Sequence, residues 1–221
     1  MELERALPRK AMSRALWALL FGNFIIGCGV MAIGGVLNDL TRDLNITVSK
    51  GGELIAIGAV MMGVGAPLLA GAVTKVDRRR LLSWAMVWYA LGFALCAVAP
   101  SYEWLWPIRA LTVLSAAVFT PQAAAVMGFM STPAHRGRHI TFVFMGWSVA
   151  SVAGMPLAAW IGERVGWRVV MMIVAVGALA AAWMVHRALP KGIRPPALSW
   201  RAWRKVFKSP LLMAVVLVTA T

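Results

Sequence analysis

The sequence predicts an all-α integral membrane protein, a six-helix transmembrane bundle followed by the start of a seventh helix. Three observations carry this prediction. Hydrophobic residues make up 61% of the 221 and charged residues only 14%, more apolar surface than a water-soluble domain of roughly 45–50% apolar content can hide. Several separate apolar runs reach the roughly 17–25 residues needed to cross a hydrocarbon core. Finally, a small residue stands at every fourth position in Gly146, Ala150, Gly154, Ala158 and Gly162, with Pro156 inside the run. Residues four apart share one helix face, so this stripe is a flat surface against which a second backbone can pack within a membrane. Pro156 frees one carbonyl beside it, the mark of a helix that moves against a neighbour.

The spans fall at residues 15–37, 53–73, 81–99, 105–129, 140–161 and 167–185, forming one bundle over 15–185 after a cytoplasmic N-terminus at 1–14. The first follows Arg5, Arg9, Lys10 and Arg14, as a signal peptide would, but it is longer than the roughly 7–15 residues of a signal h-region. Short connections make successive helices antiparallel neighbours. Residues 186–209 form a basic, proline-containing cytoplasmic linker in which Trp200, Trp203 and Phe207 alternate with Arg201, Arg204, Lys205 and Lys208, an amphipathic pattern suited to an anionic membrane surface. The apolar run at 210–221 is too short to span and reads as a seventh helix cut off, so the chain is expected to be an N-terminal half or fragment.

The second and fifth spans share a pattern. Gly65-Ala66-Pro67-Leu68-Leu69-Ala70 and Gly154-Met155-Pro156-Leu157-Ala158-Ala159 both read G-x-P-L-x-A. These spans cross in opposite directions, the signature of a 3+3 inverted repeat. The stripe then reads as a sliding seam between the two repeat units, with much of what it moves against expected to lie beyond this chain.

Net charge of +14 would fit a nucleic-acid partner. Its distribution excludes one: with the N-terminus inside, 17 of the 22 Lys and Arg lie in cytoplasmic segments, the positive-inside asymmetry. Asp39, Asp43, Glu53, Glu103 and Glu163 fall outside and leave the outer loops near neutral. The expected location is the bacterial inner membrane, multi-pass, with the lipid bilayer as the first partner. Cys28 and Cys96 sit in apolar runs and read as buried hydrophobes.

Arg109 is the one charged residue clearly inside a span, about a turn from its outer end. A cation there costs about 2.5–3.5 kcal/mol or more, so it is expected to face protein or a water-filled cavity and to serve substrate or ion coupling. Asn23 and Gln122 are the other candidates for lining a cavity; Thr112, Ser115, Thr120, Ser148 and Ser151 are polar too, but fit backbone hydrogen bonds within their own helices. The loop from Gly71 through Lys75, Asp77, Arg78, Arg79 and Arg80 carries mixed charges able to pair with helix ends and latch the inner face. Trp84, Trp88, Trp104, Trp106, Trp160, Trp167 and Trp183 form an interfacial belt. His135, His139 and His186 lack metal-ligand spacing. With no nucleophile triad, intramembrane carboxylate pair or phosphate loop, neither enzyme chemistry nor a cofactor is expected.

At these residues the chain resembles the N-terminal half of the major facilitator superfamily, most closely the bacterial drug:proton antiporter and arabinose-efflux-permease-like branch. The resemblance covers essentially the whole chain. It keeps the first glycine (Gly71) and terminal arginines of the family's loop motif, with Thr74 in place of its acidic residue and Asp77 in place of its second glycine. Arg109 matches the family's helix-four arginine, the stripe with Gly154 and Pro156 its antiporter motif, and Gly166-Trp167-Arg168 the turn that follows. The carboxylate that many drug antiporters carry in helix one is absent from Gly27-Cys28-Gly29-Val30-Met31. The resemblance implies a secondary transporter exporting small hydrophobic or amphipathic compounds against proton entry, completed by a C-terminal six-helix half missing here. The alternative is a truncated membrane protein that does not transport and survives as an interaction partner or a degraded gene product.

Overall fold

A computed structural model describes residues 8–73 and 76–193. The linker beyond Ile193 and the start of the seventh span therefore lie outside the described residues, as does Lys75. The described chain forms seven helices: α1 (Arg9–Gly35), α2 (Leu37–Asp43), α3 (Val48–Ala72), α4 (Arg78–Val98), α5 (Tyr102–Met130), α6 (Arg136–Val165) and α7 (Trp167–Ala188). Six are long and apolar enough to cross a membrane. Each matches an expected span, and most extend past it into flanking polar residues, because hydrogen bonding continues the helix beyond the hydrocarbon-length run. The seventh, α2, is a single short helix after a break at Val36, and no apolar run announced it.

Packing follows the inverted repeat. The units are α1, α3 and α4, then α5, α6 and α7. Exchanging them converts the α1–α6 contact into the α5–α3 contact and α1–α7 into α5–α4, while α4–α7 maps onto itself; all of these are extensive interfaces in the bundle. The shared G-x-P-L-x-A pattern occupies equivalent places: a Cβ at Gly65 on α3 would meet Leu114 of α5 at 2.7 Å, and one at Gly154 on α6 would meet Met31 of α1 at 3.3 Å. Both helices continue past their prolines, Pro67 and Pro156.

The stripe is the buried face of α6. Gly146, Ala150, Gly154, Ala158 and Gly162 are all buried, and they face α1 in this same chain. A Cβ on Gly146 would collide with the Leu20 carbonyl oxygen, and one on Gly162 would come within 3.0 Å of Val36. The fit is reciprocal, since a Cβ on Gly27 would lie 2.6 Å from Ala150 and one on Gly35 would lie 2.8 Å from Ala158. This corrects the expectation that the seam's counterpart lies largely outside the chain: the stripe joins the two repeat units internally. What α6 leaves uncovered is its other face, with Val149, Val152, Leu157 and Trp160 exposed. Only 17% and 22% of the most apolar stretches of α3 and α6 are buried, against 44–67% in the other four spans.

The seam gives a direct test. Gly146→Leu should destabilise the bundle by about 1–3 kcal/mol through overpacking, read as a lowered unfolding midpoint in detergent. Gly137→Leu, in the exposed polar first turn of α6 where a Cβ meets nothing within 4 Å, should leave the midpoint nearly unchanged.

Candidate functional site

Arg109 lies about two turns into α5 rather than one, because that helix begins at Tyr102. It is only 1% exposed, which rules out a side chain reaching outward to the interface. Its surroundings come from several helices: the guanidinium carbon stands 5.4 Å from the centre of the Phe93 ring on α4, and a Cβ on Gly58 of α3 would sit 3.9 Å from Nη2. Arg109 Nε and Nη1 are buried with no hydrogen-bond partner among the described residues. Ring-face contact offsets part of the cost of a desolvated cation, yet two donors remain free for an acceptor.

Neighbouring polar groups are already engaged. Tyr89 donates its hydroxyl to the Ile26 carbonyl of α1 at 3.0 Å. Thr112 donates to Ile108 O at 2.6 Å and Ser115 to Thr112 O at 2.7 Å, both within α5. Ser148 and Ser151 likewise bond back into α6. Thr120 Oγ1, by contrast, is buried without a partner among the described residues.

Asn23 is fully buried at the α1–α6 seam. Its Nδ2 donates to the Val143 carbonyl at 3.4 Å, while Oδ1 has no partner among the described residues. Gln122 is buried on α5, but it stands thirteen residues, roughly 20 Å of helix rise, from Arg109. Arg109 and Gln122 therefore do not share one site, whereas Asn23 follows Gly22, whose Cβ would meet the Phe119 ring one turn from Gln122.

The loop between α3 and α4 has a defined geometry at its described residues. Gly71 falls in the last turn of α3. Asp77 is the N-cap of α4, accepting the backbone N–H of Arg79 at 2.9 Å and of Arg80 at 3.3 Å, the role carboxylates favour at a helix start. Its second oxygen accepts the Gly192 N–H just after α7. Buried Arg78 donates from Nη1 to Val73 O at 2.5 Å, closing the end of α3, and its backbone N–H donates to Ile193 O at 3.0 Å. The ends of α3, α4 and α7 are therefore tied together within this chain.

At the opposite end is a cluster that the sequence did not single out. Asp39 on α2 accepts the backbone N–H of Trp167, at the start of α7, at 2.8 Å. Asp43 accepts the Trp167 indole N–H at 3.0 Å and pairs with Arg168. Arg168 in turn donates to the Ala99 carbonyl closing α4 at 3.1 Å. Trp167 is 2% exposed, so it is an anchored residue of the bundle and not part of the interfacial belt, whereas Trp84, Trp104, Trp160 and Trp183 are exposed as expected. Gly166, with φ +88°, makes the tight turn that brings Trp167 into place. The paired aspartates before the second span and the Gly166-Trp167-Arg168 turn were the available signals.

A profile of the Major Facilitator Superfamily matches residues 19–221. The chain belongs to this superfamily. Among curated relatives it is 34% identical over 179 residues to the inner membrane transport protein YdhP of Escherichia coli K12, covering 80% of this chain and 46% of that one. It is 30% identical over 213 residues to a chloramphenicol resistance protein of Streptomyces lividans, covering 95% of this chain and 54% of that one. The chain thus spans about half the length of the curated relatives it matches. Solved folds agree: a bacterial homologue of the human lysosomal transporter Spinster, inward-facing and unoccupied, gives a TM-score of 0.73 at 16% identity over 92% of this chain and 50% of that one. The proton:xylose symporter XylE gives 0.71 at 13% identity over 82% and 45%. Members of this superfamily are membrane transporters, not enzymes.

The aspartate cluster makes a prediction about pH. The hydrogen bond from Trp167, and then the Arg168 guanidinium, hold the Asp43 carboxyl below its ordinary value of about 3.9. A depressed carboxylate contributes stability that is complete above the unfolded value and is lost as pH falls through the folded one. The difference in unfolding midpoint between the wild type and Asp43→Asn should therefore stay constant from neutral pH down to about 5 and shrink below about 4.

Proposed function

We propose that the complete protein is a secondary transporter that exports small hydrophobic or amphipathic compounds, driven by proton entry, with this chain as its N-terminal six-helix half. The observation that carries the reading is Arg109, a cation enclosed by α5, α4 and α3 whose Nε and Nη1 lack acceptors among the described residues. Such a group is costly in a membrane interior, and its retention there fits a role in transport. The helix-four position of Arg109 and the chloramphenicol resistance relative support coupling and export respectively. In this reading the substrate is apolar enough to meet a bundle whose spans offer few free polar groups, and Asn23 and Gln122 make secondary contacts or adjust during the cycle.

The exposed faces of α3 and α6 are the surfaces to which the second six-helix half docks, so a central path runs between halves while the α1–α6 seam stays inside this one. The end bearing Arg9, Lys10, Arg78, Arg79, Arg80, Arg136 and Arg138 is cytoplasmic by the distribution of positive charge, in a bacterial inner membrane. The tie between Asp77, Arg78 and the residues after α7 then holds the inner ends of three helices as one body as the halves rock.

The test is gradient-dependent efflux from cells carrying the complete protein. Arg109→Gln, expressed at wild-type level, should lower gradient-driven export by at least about tenfold, with passive binding of substrate less affected. Unchanged coupling in that variant would remove the role given to Arg109.

A further inference from the structure

We propose that the cleft between α1 and α7 at the basic end is a binding site for an anionic phospholipid. The cleft holds about 470 Å³ and is lined by Ser13, Arg14, Trp17, Trp183, Met184 and Arg187. Arg14 and Arg187 are exposed, with the Arg187 guanidinium 5.6 Å from the Trp183 ring centre. Trp17 is fixed by an edge-on contact with Phe142 of α6, ring centres 5.2 Å apart. A second cleft of about 380 Å³ lies on the other side of Trp183, between α4 and α7, and includes Ser83, Trp84 and His186. Trp183 is thus a ridge between two grooves. Among the described residues no acidic side chain lines either one.

The chemistry matches one kind of occupant. Two guanidinium forks at headgroup level suit a phosphodiester, whose oxygens they can bond in pairs. Below them the walls are indole faces and aliphatic side chains, and two grooves divided by one ring accommodate the two acyl chains of one glycerophospholipid. A basic pocket between helices at the cytoplasmic surface is a recurrent setting for anionic headgroups. Free phosphate would use the arginines and leave the apolar grooves empty. The outer pair Arg164 and Trp160, 4.1 Å apart, lines neither cleft and serves as an internal control.

The experiment uses the complete protein purified in mild detergent and exposed to mixed vesicles of phosphatidylglycerol and phosphatidylcholine with identical acyl chains, retained lipid being counted by native mass spectrometry. Phosphatidylglycerol should be retained over phosphatidylcholine, and Arg14→Gln and Arg187→Gln should each reduce that retention about fivefold, with Arg164→Gln unchanged. Excess inorganic phosphate should not displace the lipid. A photoreactive acyl chain on phosphatidylglycerol, tested on the wild-type protein, should label peptides containing Trp17 or Trp183. Equal retention of the two lipids, displacement by phosphate, or labelling spread evenly over α3 and α6 would each overturn the proposal. Because transport is not the readout, loss of export with lipid retention intact would bear on Arg109 and not on this cleft.

Discussion

The close approach of α1 and α6 is the constraint on which the rest of the bundle depends. In lipid there is no hydrophobic drive between apolar helices, so association rests on packing and on the few polar contacts the interface permits. Here two sets of small residues interlock, Gly27 and Gly35 from α1 with Ala150 and Ala158 from α6, and Gly146 faces the Leu20 carbonyl directly. That contact joins the first repeat unit to the second and leaves the remaining faces of α3 and α6 open. It also buries Asn23, whose amide spans the interface to Val143.

Charge is divided between two kinds of position. At each end of the bundle, carboxylates and guanidiniums are engaged with helix termini, Asp77 and Arg78 at one end, Asp39, Asp43 and Arg168 at the other. These groups satisfy backbone donors and acceptors that a helix end would otherwise leave open. Arg109 is different, since its guanidinium meets an aromatic face and makes no contact with a helix terminus among the described residues. Charged side chains at the ends thus fix helix termini, while Arg109 is a buried cation within a span of the described residues.

Much of this was legible in the sequence because membrane crossing imposes long apolar runs, and because small residues four apart can mean little other than a close helix contact. The identity of the contacting helix was less legible. Gly27, Met31 and Gly35 have the same spacing on α1, but complementarity between distant helices appears only once both are folded. Trp167 shows the limit of position as a guide: a tryptophan at the end of an apolar run has the same sequence signature whether it lies at the interface or, as here, is held by Asp43 beneath it. The seven-residue α2 has too few residues to display a period. Arg109 stood out as a lone cation, while the Phe93 and Gly58 that surround it come from other helices and carry no mark of that role.

The seam also sets an order of events during synthesis. Asn23 and its partner Val143 are separated by 120 residues, so at about 5–20 residues per second the ribosome needs roughly 6–24 seconds to deliver α6 after α1. Throughout that interval the glycine face of α1 and a bare carboxamide are in the insertion machinery or in lipid without their counterpart. Until α6 is delivered, α1 is a helix of this chain open to wrong partners and to quality-control proteases.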